Sequence, residues 1–120
     1  MKKLLFILSF ASLTMIANAQ WQQTNGPCGG YINCLAISGT NIFAGTNGGV
    51  ILSTNNGSSW SAVNTGLPPN TSVWSLAISG TIIFAGTLDG VFLSTDNGSS
   101  WIAVNIGLPP STDVYSLTLV

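Results

Sequence analysis

Apolar residues in this chain come in short runs, among them Ile42-Phe43-Ala44, Val50-Ile51-Leu52, Leu76-Ala77-Ile78, Ile82-Ile83-Phe84-Ala85 and Val91-Phe92-Leu93. The runs are rich in β-branched and aromatic residues and are bounded by Gly, Asn, Asp, Ser and Pro, the pattern of strands joined by turns. No stretch beyond the N-terminal segment has helical spacing. In the second half of the chain the pattern predicts strands over about Val73–Ile78, Thr81–Thr87, Val91–Ser94 and Trp101–Asn105. Ser79-Gly80 and Asp89-Gly90 separate the first three, and Asn47-Gly48 stands at a similar place earlier in the chain. Gly and Asn tolerate the positive φ that tight hairpins need. Gly66-Leu67-Pro68-Pro69 should end pairing, because Pro lacks the N–H donor. Runs such as Ile82–Ala85 are apolar at every position rather than alternately, which predicts burial between two neighbouring sheets.

The pattern recurs. Leu35-Ala36-Ile37-Ser38-Gly39-Thr40 returns as Leu76-Ala77-Ile78-Ser79-Gly80-Thr81, and Ile42-Phe43-Ala44-Gly45-Thr46 as Ile83-Phe84-Ala85-Gly86-Thr87. Gly66-Leu67-Pro68-Pro69 returns as Gly107-Leu108-Pro109-Pro110. Every offset is 41, and 28 of 39 positions are identical between Tyr31–Pro69 and Ser72–Pro110. The units are read as 31–71 and 72–112. Residues 20–30 are read as the outer strand and loop of a preceding unit, opened by Trp21, and 113–120 as the first strand of a following one. Four-stranded antiparallel units of this length, packed face to face, predict an all-β chain of β-propeller blades. The incomplete units at both ends predict a piece of a longer protein. Two units expressed alone should self-associate, since stacked repeats commonly need three or more for stability.

The N-terminus changes the picture of where the protein works. Met1-Lys2-Lys3 precedes an apolar or hydroxylic stretch from Leu4 to Ile16, and Ala17-Asn18-Ala19 follows. A positive start, a short apolar run and a small-x-small end are the marks of a secretory signal peptide over 1–19, cleaved between Ala19 and Gln20. The run is short of the about 20 apolar residues of a spanning helix. The chain that remains is expected outside the cytoplasm or at the cell surface, with three Asp and no basic side chain. Cys28 and Cys34 are a candidate disulfide pair in an oxidising compartment; one buried thiol and one loop thiol is the alternative.

Composition removes whole classes of function. The 120 residues include no Arg, no Glu and no His. A His general base, a His metal ligand and an Arg clamp for phosphate or carboxylate cannot be built from this chain. Nucleic acid is an unsuitable partner, because phosphate neutralisation needs Lys or Arg. No cofactor, metal or catalytic residue is expected.

The most specific motif is an octapeptide that opens each fourth strand: Ser53-Thr54-Asn55-Asn56-Gly57-Ser58-Ser59-Trp60, and Ser94-Thr95-Asp96-Asn97-Gly98-Ser99-Ser100-Trp101. The Asp96 carboxylate can accept backbone N–H groups two residues on and close a turn. Gly57 and Gly98 suit a backbone that a Cβ would disfavour. Ser53 and Ser94 can add side-chain bonds to the loop, and Trp60 and Trp101 can bury a large ring beside it. The octapeptide resembles the Asp-box, or BNR repeat, S-x-D-x-G-x-T/S-W, found on the propeller blades of sialidases, sortilin-type receptors and photosystem II assembly factors. The resemblance spans nearly the whole chain after residue 19 and implies the propeller fold more than an activity. Asn55 departs from the pattern where Asp is usual, which keeps an acceptor and loses the charge. Ser59 and Ser100 replace the usual Thr.

For most of these residues the structural role is the expected one. Asp96 as one ligand of a hard cation would need about 6–8 oxygens around the ion, and Trp60 or Trp101 as a sugar-stacking platform competes with their place in a repeated turn. Asn56-Gly57-Ser58 and Asn97-Gly98-Ser99 fit the glycosylation pattern but lie inside the turn. The function expected is a secreted, non-catalytic scaffold contacting a protein or glycan through its loops. The alternatives are a fragment of a sialidase-like glycosidase, with its carboxylate pair and arginines elsewhere, or spacer blades of a larger surface or sorting protein. The expected neighbours are further blades of the same chain or other copies of it.

Overall fold

A computed structural model describes residues 30–120. The signal segment, the Ala19–Gln20 junction, Trp21 and Cys28 lie outside the described residues. Eight strands follow in chain order: β1 (Ile32–Ser38), β2 (Asn41–Thr46), β3 (Gly49–Ser53), β4 (Ser61–Ala62), β5 (Val73–Ser79), β6 (Ile82–Thr87), β7 (Gly90–Ser94) and β8 (Ile102–Ala103). They form two four-stranded antiparallel sheets, each in sequential order, β1-β2-β3-β4 and β5-β6-β7-β8. The described residues contain no helix.

Each turn has a local cause. Gly39 and Gly80 (φ 60° and 61°) start the two-residue loops that join β1 to β2 and β5 to β6, the place where a type II′ turn needs Gly. The next hairpin differs from the sequence expectation. Its loop residues are Asn47-Gly48 and Leu88-Asp89, not Asp89-Gly90, and the positive φ falls on the following residue, Gly49 (117°) or Gly90 (100°). A left-handed glycine just after a two-residue turn is the signature of a hairpin closed by a bulge. Gly66 (φ 96°), in a turn closed by Leu67 N–H to Asn64 C=O at 2.9 Å, carries the chain out of the first sheet, as a type II turn with Gly third does.

The fourth strands are shorter than the sequence predicts. β8 covers Ile102–Ala103 rather than Trp101–Asn105. Val104 N–H still reaches Val91 C=O at 2.9 Å, but the Trp101 N–H turns away to Thr65 C=O of the first unit at 2.9 Å. At Asn105 the side chain takes over, its Oδ1 accepting from Val91 N–H at 2.8 Å.

The core lies between the sheets. Phe43 and Val50 of the first sheet and Val73, Ile83, Ala85 and Phe92 of the second are buried there with Leu67 and Trp101. Two glycines permit the close approach. A Cβ on Gly45 would collide with the Cys34 Sγ and with Val73, and a Cβ on Gly66 with the Trp101 carbonyl oxygen. Residues 112–120 form no strand. Val114 nevertheless lies over Gly86 as Val73 lies over Gly45, and its N–H donates to Thr87 C=O at 2.9 Å. The 41-residue offset therefore holds in space into the start of a third unit. No helix among the described residues is long and apolar enough to cross a membrane.

Candidate functional site

The octapeptide turns are built from their own side chains. In the second, Asn97 and Gly98 both have positive φ (60° and 89°), and Ser99 N–H closes on Asp96 C=O at 3.3 Å. Two successive left-handed residues make a type I′ turn, for which Asn-Gly is the preferred pair. Buried Ser94 accepts the Gly98 N–H at 2.8 Å and donates to Asp96 Oδ1 at 2.8 Å. Asp96 Oδ1 also accepts the Ser100 N–H at 2.9 Å, and Oδ2 the Ser100 hydroxyl at 2.6 Å. The carboxylate thus reaches four residues on, not the two expected from an Asx turn alone. These donors favour the charged form. The Ser100 hydroxyl and N–H, then the Ser94 hydroxyl, lower the Asp96 pKa to about 2.

The first turn keeps this geometry with Asn55 in place of the acid. Asn56 and Gly57 again have positive φ (56° and 88°). Ser53 accepts the Gly57 N–H at 2.7 Å, and Asn55 Oδ1 accepts both the Ser53 hydroxyl (3.0 Å) and the Ser59 N–H (2.9 Å). The bond to the Ser59 hydroxyl reverses direction: Asn55 Nδ2 donates to it at 2.8 Å.

The two Trp of these turns have different surroundings. Trp101 is only 3% exposed, and its indole N–H donates to the Val63 C=O of the first unit at 2.8 Å. Trp60 is half-buried. Cys34 is also half-buried and has no disulfide partner among the described residues, and burial pushes its thiol pKa up; Cys28 lies outside them.

Two residue pairs that the sequence reading passed over hold the hairpins. Buried Thr46 and Thr87 each accept an N–H within the β2–β3 or β6–β7 turn (Gly48 at 3.0 Å, Asp89 at 2.9 Å) and donate to the bulge glycine carbonyl (Gly49 at 3.0 Å, Gly90 at 2.9 Å). Asn64 and Asn105 pin the end of the outer strand to the next strand through Val50 and Val91 N–H at 2.7 and 2.8 Å. Their signal was available: all four are identical at the 41-residue offset.

The remaining eleven of the 39 aligned positions differ between units, and six of them are 31–34 with 47–48, matched to 72–75 with 88–89. Hydrogen bonds draw these positions to one end of the sheets. Asn33 Nδ2 donates to Asn47 Oδ1 (3.0 Å) and to Val73 C=O (3.1 Å), Leu88 N–H donates to Ser72 C=O (3.0 Å), and Thr71 donates to Asp89 Oδ2 (2.6 Å). Along this rim the equivalent positions carry Asn33, Trp74 and Tyr115. The Trp74 and Tyr115 rings are 5.6 Å apart and tilted by 40°, and the Tyr115 hydroxyl donates to Asp113 Oδ2 at 3.0 Å. That bond, followed by the carboxylate charge, raises the Tyr115 pKa. The rim therefore presents a half-buried indole, an exposed phenol and two exposed carboxylates, Asp89 and Asp113. Among the described residues no three His, Cys, Asp or Glu side chains converge as metal ligands do.

Compared with protein-family models and with curated proteins, the chain matches none of them.

Proposed function

We propose that this chain is a secreted, non-catalytic module of β-propeller blades with Asp-box turns of the BNR type, which binds a glycan or protein ligand through the rim around Trp74 and Tyr115. One observation carries the reading: the units share most of the residues that make the fold, and six of their eleven differences gather at one end. The turn octapeptides, hairpin glycines, Thr pins and Asn pins repeat almost unchanged, whereas six of the eleven differences gather at the rim. Residues held constant between units are those each sheet needs; residues free of that demand can serve a ligand. The Trp74 ring is half-buried, with its indole N–H buried and without a partner among the described residues, and lies beside the exposed Tyr115 phenol; such an aromatic pair suits contact with a sugar face or a partner side chain. The signal-like N-terminus supports export. The absence of Arg, Glu and His supports binding over hydrolysis.

The experiment is a glycan-array screen of the purified chain beside a Trp74→Ala variant, paired with a fluorogenic sialoside assay. The proposal expects saturable binding to a subset of glycans, weakened at least about tenfold in the variant. That is about 1.4 kcal/mol, as expected for a lost stacking contact. It expects no release of sialic acid. Binding that is indifferent to Trp74, or turnover of the sialoside, would overturn it.

A further inference from the structure

The rim differs between the units in charge as well as in ring character. A bulge in each first strand lifts one residue out of register: Asn33 between Ile32 and Cys34, and Trp74 between Val73 and Ser75. Such bulges re-aim a side chain. In the first unit the residue so displayed is neutral and tied into the fold, Asn33 donating to Asn47 and to the Val73 carbonyl. In the second it is Trp74, whose ring lies beside that of Tyr115. The carboxylates follow the same division. Asp89 and Asp113 stand at the 41-residue offset from Gly48 and Ser72, so the equivalent places one unit earlier are built without a charge. Buried Thr87 gathers the four residues. Its hydroxyl accepts the Asp89 N–H at 2.9 Å. Its carbonyl accepts, at 2.9 Å, the N–H of Val114, which stands between Asp113 and Tyr115. It also pairs with Val73, next to Trp74. Residues 20–120 contain no Lys, Arg or His, so neither carboxylate has a basic side chain to pair with in this part of the chain.

We infer that the ligand of this rim is a glycan bearing a free amino group, an amino sugar in its protonated form, with its ring against Trp74 and Tyr115 and its ammonium held by Asp89 and Asp113. The inference rests on the rim reading proposed for this chain and narrows it. The same charges disfavour anionic sugars: sialic acids, uronic acids and sulfated sugars would meet two like charges and no counter-charge, which costs affinity at any interface. Neutral sugars would leave both carboxylates without a cationic partner. A cation is attracted to both, and the electron-rich rings beside them add to that attraction. The geometry selects a sugar over a lysine side chain. Asp113 Oδ2 lies 3.0 Å from the Tyr115 hydroxyl, at the edge of the ring and not over its face. A ligand that meets both needs an apolar face with a cation at its edge. A pyranose bearing an amine has that shape, and a slender alkylammonium stem does not.

The test is calorimetric titration of the purified chain with a β-1,4-linked glucosamine tetramer and with its fully N-acetylated counterpart, at about pH 5.5, where Asp is ionised and the sugar amines are protonated. Asp89→Asn and Asp113→Asn keep an acceptor for Thr71 and for the Tyr115 hydroxyl and remove only the charge, so both should melt as the wild type does. The wild type should bind the amine form about tenfold more tightly than the acetylated one, the size of two exposed ion pairs. Each substitution should weaken binding of the amine form about threefold and leave the acetylated form unchanged. Added salt should shrink the preference, and this response decides the matter if a variant fails to fold. Equal or tighter binding of the acetylated tetramer, a preference unmoved by salt or by both substitutions, or tighter binding of a tetralysine peptide than of the amine tetramer would each overturn the inference. Where the acetylated tetramer binds as tightly as the amine form and Trp74→Ala abolishes that binding, the rim reading stands and this inference fails. Where no glycan binding depends on Trp74, both fail.

Discussion

Asp96 is the clearest case of one residue acting as a latch. Its two oxygens gather two hydroxyls and an N–H from the seven residues Ser94–Ser100, and those bonds lower its pKa. The folded pKa lies below the unfolded one, so the stabilisation is present above about 3.8 and is lost as the pH falls towards about 2; the unfolded state takes up the proton first. Thermal melts should therefore show the wild type losing stability across that window relative to Asp96→Asn, which carries the residue found at position 55. Parallel pH responses would show that the carboxylate is not held by these donors. The residue types of this latch were legible in the octapeptide, because Ser, Asp, Asn and Gly each have a narrow set of roles in tight turns. Which atoms meet was not, since the Asx pattern suggests N–H groups two residues on and the type I′ turn brings Ser100 within reach instead.

At the scale of the element, the outer strands show how side chains replace backbone pairing. β4 and β8 have two residues each, too few to hold an edge by ladder bonds alone. Asn64 and Asn105 extend the attachment by two side-chain bonds apiece, accepting the Val50 or Val91 N–H and donating to the Gly48 or Asp89 carbonyl. Removing one leaves a valine N–H without its acceptor, which costs about 1–3 kcal/mol where the group is buried. Asn105→Ala should lower the unfolding free energy by that order in urea titrations and increase amide exchange at Val91; unchanged exchange there would remove Asn105 from this role. The strands themselves were legible to within a residue or two at most ends, because apolar runs between turn residues leave few choices. The short fourth strand was not. Its apolar pattern continues through Val104, but the Trp101 N–H is diverted to another sheet, and a long-range bond leaves no local mark in sequence.

For the whole molecule, the organising fact is that one interface is made once and could be made again. Local chemistry specifies each sheet almost identically, yet Leu76 and Leu35, or Trp101 and Trp60, differ in burial because, among the described residues, only one of each pair has a neighbouring sheet. No reading of a single unit could tell which copy is covered; that depends on what stands beside it. The proposed propeller stacking requires that Trp101 bind one sheet to the next rather than merely close its own turn. The most direct test compares Trp101→Ala with Trp60→Ala in chemical denaturation at a concentration low enough for monomers. Truncating a core aromatic costs about 3–5 kcal/mol, and the account predicts a loss of that size for Trp101→Ala and less than half of it for Trp60→Ala. Equal losses would mean that each Trp serves only its own turn, and would contradict the sheet-on-sheet account.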